Sequence, residues 1–94
     1  MLLLLADGDD VLIAAGDLLP GPQLTSSCEE ILVTEPVPLG HKVAARTIAA
    51  GAAVVRCGVP IGAATMDIER GAWVHTHNLR SDYLATFAHR GGQR

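Results

Sequence analysis

Residues 40–79 read GHKVAARTIAAGAAVVRCGVPIGAATMDIERGAWVHTHNL, and the fold turns on how this stretch is read. It holds three of the four histidines and half of the ten glycines. It also carries one short pattern twice. Ala44 to Val54 (AARTIAAGAAV) lies over Ala64 to Val74 (ATMDIERGAWV), and Ala14 to Leu24 (AAGDLLPGPQL) fits the same frame. The shared form is A-x-x-[D/T]-[I/L]-x-x-G-x-x-[V/L]. The copies begin at residues 14, 44 and 64, so their spacings of 30 and 20 exclude a solenoid of equal repeats.

Each position of the pattern has a physical use. Asp17, Thr47 or Asp67 can accept backbone N–H bonds and cap a single helical turn. Leu18, Ile48 or Ile68 anchors that turn in the core, and Gly21, Gly51 or Gly71 supplies the positive φ that ends it. Leu24, Val54 or Val74 then opens an outgoing strand. Each copy is therefore expected to be strand, tight turn and strand.

Around the copies, residues 10–15 and 29–34 read as strands and residues 23–27 as the start of another. Residues 16–22 are too dense in Gly and Pro to continue a strand or a helix. Pro36 and Pro38 predict an extended, unpaired connector, and Pro60 and Gly62 a sharp bend. Turn signals about every eight to twelve residues mean an all-β fold of short bent strands. Residues 81–94 differ: 82–88 suit one or two helical turns, and 91–94 read as a disordered end. The expected division is a domain over 1–80 and a tail over 81–94.

Composition narrows the function. A chain of 94 residues with one Trp, one Tyr and one Phe must build its core from Ala, Val, Leu and Ile. So thin a core makes a partner surface or a second copy of the chain an expected support. Residues 1–40 carry seven acids and no Lys or Arg, whereas 41–94 carry three acids, seven bases and all four histidines. The bases are spread singly and do not alternate with aromatics, which argues against nucleic acid. Two halves lying against each other with complementary charge is the simpler expectation. The apolar start, Met1 to Ala6, is too short for a signal h-region and runs directly into Asp7, Asp9 and Asp10. No run is long enough to span a bilayer, so the cytoplasm is the expected location. Cys28 and Cys57 are isolated and read as reduced, mostly buried side chains.

Several blocks occur in a characteristic order: Leu39-Gly40-His41-Lys42-Val43-Ala44, Thr47-Ile48-Ala49-Ala50-Gly51, Val54-Val55-Arg56-Cys57-Gly58, Ile61-Gly62, Asp67-Ile68-Glu69-Arg70-Gly71 and Val74-His75-Thr76-His77-Asn78-Leu79. Over about residues 8–80 this resembles the N-terminal SAF domain of the altronate/galactarate dehydratase family. It is similar too to the family's stand-alone small subunits, including the alpha subunit of sulfolactate sulfo-lyase. The resemblance implies a β-clip (SAF-like) fold and a part in β-elimination from sugar acids. It also implies a large catalytic subunit as partner and a divalent metal, such as Fe2+, held mainly by that subunit. Thr47 stands where the family tends to have Asp, and Cys57 where it tends to have an aromatic residue.

The residues left without a structural task are His41, Lys42, His75, His77 and Asn78. In a strand, His75 and His77 would point to one side with Cα atoms about 6.5 Å apart, able to converge on one metal or one carboxylate. They are the expected catalytic pair and the candidate metal ligands. His41, Lys42 and Asn78 are the expected substrate-binding groups, since a sugar acid needs a cation for its carboxylate and donors for its hydroxyls. Trp73 is expected in the core or at an interface, and Asp17 and Asp67 as turn caps. Two alternatives stand beside a dehydratase subunit: a sulfite-releasing lyase subunit, and a non-catalytic carbohydrate-binding or assembly module.

Overall fold

The computed structural model describes residues 1–81, so the expected tail lies, from residue 82 on, outside the described residues. Nine short strands follow in order: β1 (Leu2–Leu3), β2 (Val11–Ala14), β3 (Gly21–Leu24), β4 (Glu30–Val33), β5 (Lys42–Ala44), β6 (Ala53–Arg56), β7 (Val59–Ala64), β8 (Trp73–Val74) and β9 (Leu79–Arg80). They form three antiparallel sheets, β1-β2-β5-β8, β3-β4 and β6-β7-β9. The protein is all-β, as the turn spacing predicts, and its small bent sheets are compatible with the β-clip fold.

The repeated turns hold these sheets together. Leu18, Ile48 and Ile68 are all buried, as core anchors should be. Ile48 and Ile68 face each other in an isolated bridge, exchanging N–H···O bonds of 2.7 and 2.8 Å. Leu18 exchanges the same pair of bonds, 2.8 and 2.9 Å, with Val37. Val37 belongs to a fourth copy of the pattern, Val33 to Val43, hidden because Pro36 occupies the Asp/Thr position. Its glycine, Gly40, has φ +82°, beside +130°, +85° and +91° at Gly21, Gly51 and Gly71. The connector between Pro36 and Pro38 is thus paired at Val37, not unpaired.

The aspartates cap differently from expectation. Asp67 Oδ1 accepts the N–H of Ala50, two residues past Ile48, and Asp17 Oδ1 accepts that of Leu39, two past Val37, both at 2.8 Å. Each carboxylate therefore locks the turn opposite rather than its own. Two turn pairs make two halves in tandem, each with its own apolar cluster. Leu2, Leu12, Leu18, Ile31, Val33, Val37 and Val43 form one; Val11, Ile48, Val54, Ala64, Ile68 and Val74 form the other.

Two details depart from the sequence reading. Pro22 lies inside β3, opposite Leu32, where β4 is the only strand paired with β3 among the described residues and a residue without N–H is tolerated. Cys28 and Cys57 are free, as expected, but exposed. Each occupies a hairpin tip at positive φ, 65° and 56°. The complementary halves do meet: Arg46 pairs with Asp10, and Arg70 Nη2 lies 3.0 Å from Glu29 Oε2. No helix among the described residues is long and apolar enough to cross a membrane.

Gly71 also marks where the halves interlock, since a Cβ there would lie 2.0 Å from the Leu32 carbonyl oxygen. Gly71→Ala is expected to lower unfolding free energy by about 1–3 kcal/mol. Gly16, with open space around it, serves as the comparison. Gly16→Ala should be neutral or slightly stabilising, and urea denaturation of both variants checks the difference.

Candidate active-site cleft

β5 and β8 pair so that Lys42 faces Val74 and Val43 faces Trp73. This register brings His41, at the entry to β5, beside the indole. The ring centroids of His41 and Trp73 are 5.7 Å apart, and Trp73 Nε1–H donates to His41 Nδ1 at 3.2 Å. Neutral His41 therefore carries its proton on Nε2. His75 stacks nearly parallel on the same indole, with centroids 5.2 Å apart and planes 8° apart, and lies 4.7 Å from His41. His77 approaches Trp73 at 5.2 Å in a tilted arrangement. Trp73 is thus the hub of three histidines rather than only a core residue.

The expected strand through His75 and His77 is instead a turn. β8 ends at Val74, and His75 O accepts the N–H groups of Asn78 and Leu79 at 3.1 and 2.9 Å. Asn78 shapes this turn: Oδ1 accepts the N–H of His75 at 2.9 Å and Nδ2 donates to Trp73 O at 2.9 Å. Its side chain, buried and held by backbone at both ends, is a clamp rather than a group turned to solvent for a hydroxyl. A turn cannot place residues two apart side by side as a strand would. The two rings gather because both lean on Trp73.

Beside the rings lies an open cleft of about 340 Å³. Lys42, Arg56, His75, Thr76 and Ser81 contribute polar groups to it, and Ile61 and Leu79 an apolar wall. The volume falls within the range of about 300–1,000 Å³ typical of small-molecule sites. Burial, and then the charge of Arg56, pushes the Lys42 ammonium below the usual lysine range. Burial is also the main reason that His75 is lowered, followed by the positive charges of His41, Lys42 and His77. Among the described residues no acid lines the cleft, so its field favours an anion. Within it His75, kept neutral, has the form of a proton acceptor.

Of the expected site residues, Lys42 and His75 line the cleft. His41 and His77 pack against Trp73 beside it, and Asn78 supports the turn from within. Arg56 was missed. In sequence it is one base among seven evenly spread ones, and only the β6–β7 hairpin carries it to Lys42. Among the described residues, no group of three His, Cys, Asp or Glu side chains can hold a metal ion. His41 Nδ1 is engaged by the indole, and the two neighbouring cations oppose another positive charge. The described residues do not fit a metal centre of their own.

Comparison with known proteins agrees with this fold. Residues 1–82 match the model of the altronate/galactarate dehydratase SAF domain. The chain belongs to that family. It is 39% identical to the altronate dehydratase of Escherichia coli K12 and 35% identical to that of Bacillus subtilis 168, each over 79% of this chain but only 15% of the relative. It is also 42% identical to the (2R)-sulfolactate sulfo-lyase subunit alpha of Paracoccus pantotrophus, over 48% of this chain and 67% of that subunit. The SAF chain thus spans a small fraction of the length of the dehydratases it matches.

Two outcomes are expected for the site. Asn78→Ala orphans the His75 N–H and the Trp73 carbonyl, so stability should fall by about 1–3 kcal/mol in urea denaturation. Because the folded state binds a proton at His75 more weakly than the unfolded chain does, its contribution to stability declines as pH falls through the ordinary value of 6.5. His75→Gln should flatten that part of the pH profile, as thermal unfolding between pH 5 and 8 would reveal.

Proposed function

We propose that this chain is the small SAF subunit of a cytoplasmic lyase acting on sugar acids, completing or covering the active site of a separate large subunit. The observation that carries this reading is the cleft itself, where two cations and a histidine of lowered pKa meet with no acid among the described residues that line it. In a sugar-acid dehydration a base removes the proton beside the carboxylate, and the hydroxyl on the next carbon departs as water. Lys42 suits the carboxylate, and His75, with its lowered pKa, suits the proton. His41, braced on Trp73, packs against the His75 ring, and His41 and His77 are themselves candidates for the substrate or the subunit boundary. The divalent metal of the reaction is assigned to the large subunit, because the described residues do not fit one. The free cysteines are consistent with a reducing compartment.

A second reading changes the leaving group to sulfite. It is supported by the Paracoccus pantotrophus subunit alpha and by that of Chromohalobacter salexigens, 37% identical over 52% of both chains. The cationic cleft accepts a sulfonate as readily as a carboxylate.

Co-expression with a large subunit of this family tests both. The expected result is a stable complex whose formation of 2-keto-3-deoxy acid, or release of sulfite, depends on this chain. Lys42→Ala in that complex should lower kcat/KM about tenfold or more, the value of a hydrogen bond to a charged group. A large subunit fully active alone, with no affinity for this chain, would refute the assignment.

A further inference from the structure

Two buried carboxylates lie outside the ring cluster. Asp9 and Asp10 are 5% and 1% exposed, and an ionised group so buried is costly unless well paired. Their partners surround one residue. Asp10 Oδ2 accepts the N–H of Val55 at 2.8 Å, and Asp10 N–H donates to Val55 O at 2.9 Å. Asp9 Oδ2 accepts the N–H of Cys57 at 2.7 Å, and Oδ1 that of Gly58 at 3.0 Å. Arg46 Nε donates to the remaining Asp10 oxygen at 2.6 Å. Arg56 stands between the clamped residues, with its own side chain among those lining the cleft.

The corresponding hairpin of the other half shows what tip closure alone requires. At the end of β3–β4, Thr25 Oγ1 accepts the N–H of Glu29 at 3.0 Å and lies 3.0 Å from Ser27 Oγ. Neutral hydroxyls suffice there, and the tip includes the same positive-φ cysteine. The β6–β7 tip instead takes two buried carboxylates, and it alone presents an arginine to the cleft. The hydrogen bonds from Gly58 and Cys57 and the charge of Arg56 keep Asp9 ionised, overcoming its burial.

We propose that Arg56 is the specificity-determining cation of the cleft, binding a carboxylate of the sugar acid, and that Asp9 and Asp10 are its positioning residues. This rests on the sugar-acid reading of the cleft. A guanidinium offers a planar fork that meets a carboxylate through two parallel bonds, which an ammonium cannot reproduce. The fork selects only if its backbone is held, and the two aspartates hold it on either side. Lys42 then serves as the second, less directional charge.

The test is an NMR titration of the 15N-labelled full chain with galactarate, with galactitol as the uncharged control of the same carbon skeleton. Galactarate should produce saturable shifts at the amides of Lys42, Arg56 and His75, and galactitol none. Arg56→Gln should weaken galactarate binding about tenfold or more, and Arg56→Lys should restore only part of it. Asp9→Asn should lose hydrogen-exchange protection at Cys57 and Gly58 and weaken binding, whereas Ser27→Ala at the other tip should change neither. If Asp9→Asn does not fold, Arg56→Gln, altered at an exposed position, decides the matter alone. Unchanged affinity in Arg56→Gln overturns the role of Arg56 and leaves the cleft reading standing. Unchanged protection and affinity in a folded Asp9→Asn overturn the positioning role. No galactarate-specific shift in the wild-type cleft overturns this proposal, while the lyase-subunit reading stands or falls with the co-expression.

Discussion

The reciprocal backbone bonds between Ile48 and Ile68, and between Leu18 and Val37, are the constraint on which the rest of the fold depends. Each bridge sits where an aliphatic anchor enters the core, so one residue supplies both apolar burial and a satisfied backbone pair. Exposed water would compete for those N–H groups; the buried side chains exclude it. The aspartates at 17 and 67 then fasten the facing turn, replacing a long strand ladder with a single bridge and one charge-assisted bond. A chain almost without aromatics can close two small cores in this way. The remaining strands need only be two to six residues long.

Function follows from how these turns leave the strand ends. β5 and β8 leave the second and fourth turn copies in chain order and pair side by side, which is why His41, Lys42, Trp73 and His75 become neighbours although about thirty residues separate them. The indole then organises the imidazoles by stacking, an interaction worth about 0.5–1.5 kcal/mol per aromatic pair. That is small against folding but large enough to orient a ring. Partial burial, and then the nearby positive charges, lower His75 below its ordinary value, which favours one group able to take a proton beside groups able to hold an anion.

Much of the fold was legible because its turn chemistry is local. Asp or Thr, an aliphatic anchor and a glycine three residues on specify a turn wherever they occur, and β2, β4 and β6 fell near the expected segments. The fourth copy escaped notice because Pro36 breaks the pattern while Val37 and Gly40 still satisfy the geometry. The site was less legible. His75-Thr76-His77 has the alternation of a strand, but Asn78 bonds back to Trp73 and His75 and bends it into a turn. Arg56 carried no mark of its own beyond its place in a family block, since its polar neighbours in the cleft, Lys42 and His75, come from β5 and the turn after β8.

The amino-acid sequence by itself determined the all-β class, the three visible turn copies, the family likeness and the polar residues worth watching. These rest on short-range rules, in which a residue's conformational preference and the spacing of apolar groups act within one turn of chain. Tertiary structure alone decided which of those residues share a cleft, which spend their polar atoms on backbone, and which buried carboxylates brace a distant hairpin. Burial and partner distance are properties of the closed fold. The same carboxylate is a solvated surface acid at Asp7 and a buried clamp at Asp9, two residues away, because only one of them meets the tip of β6–β7.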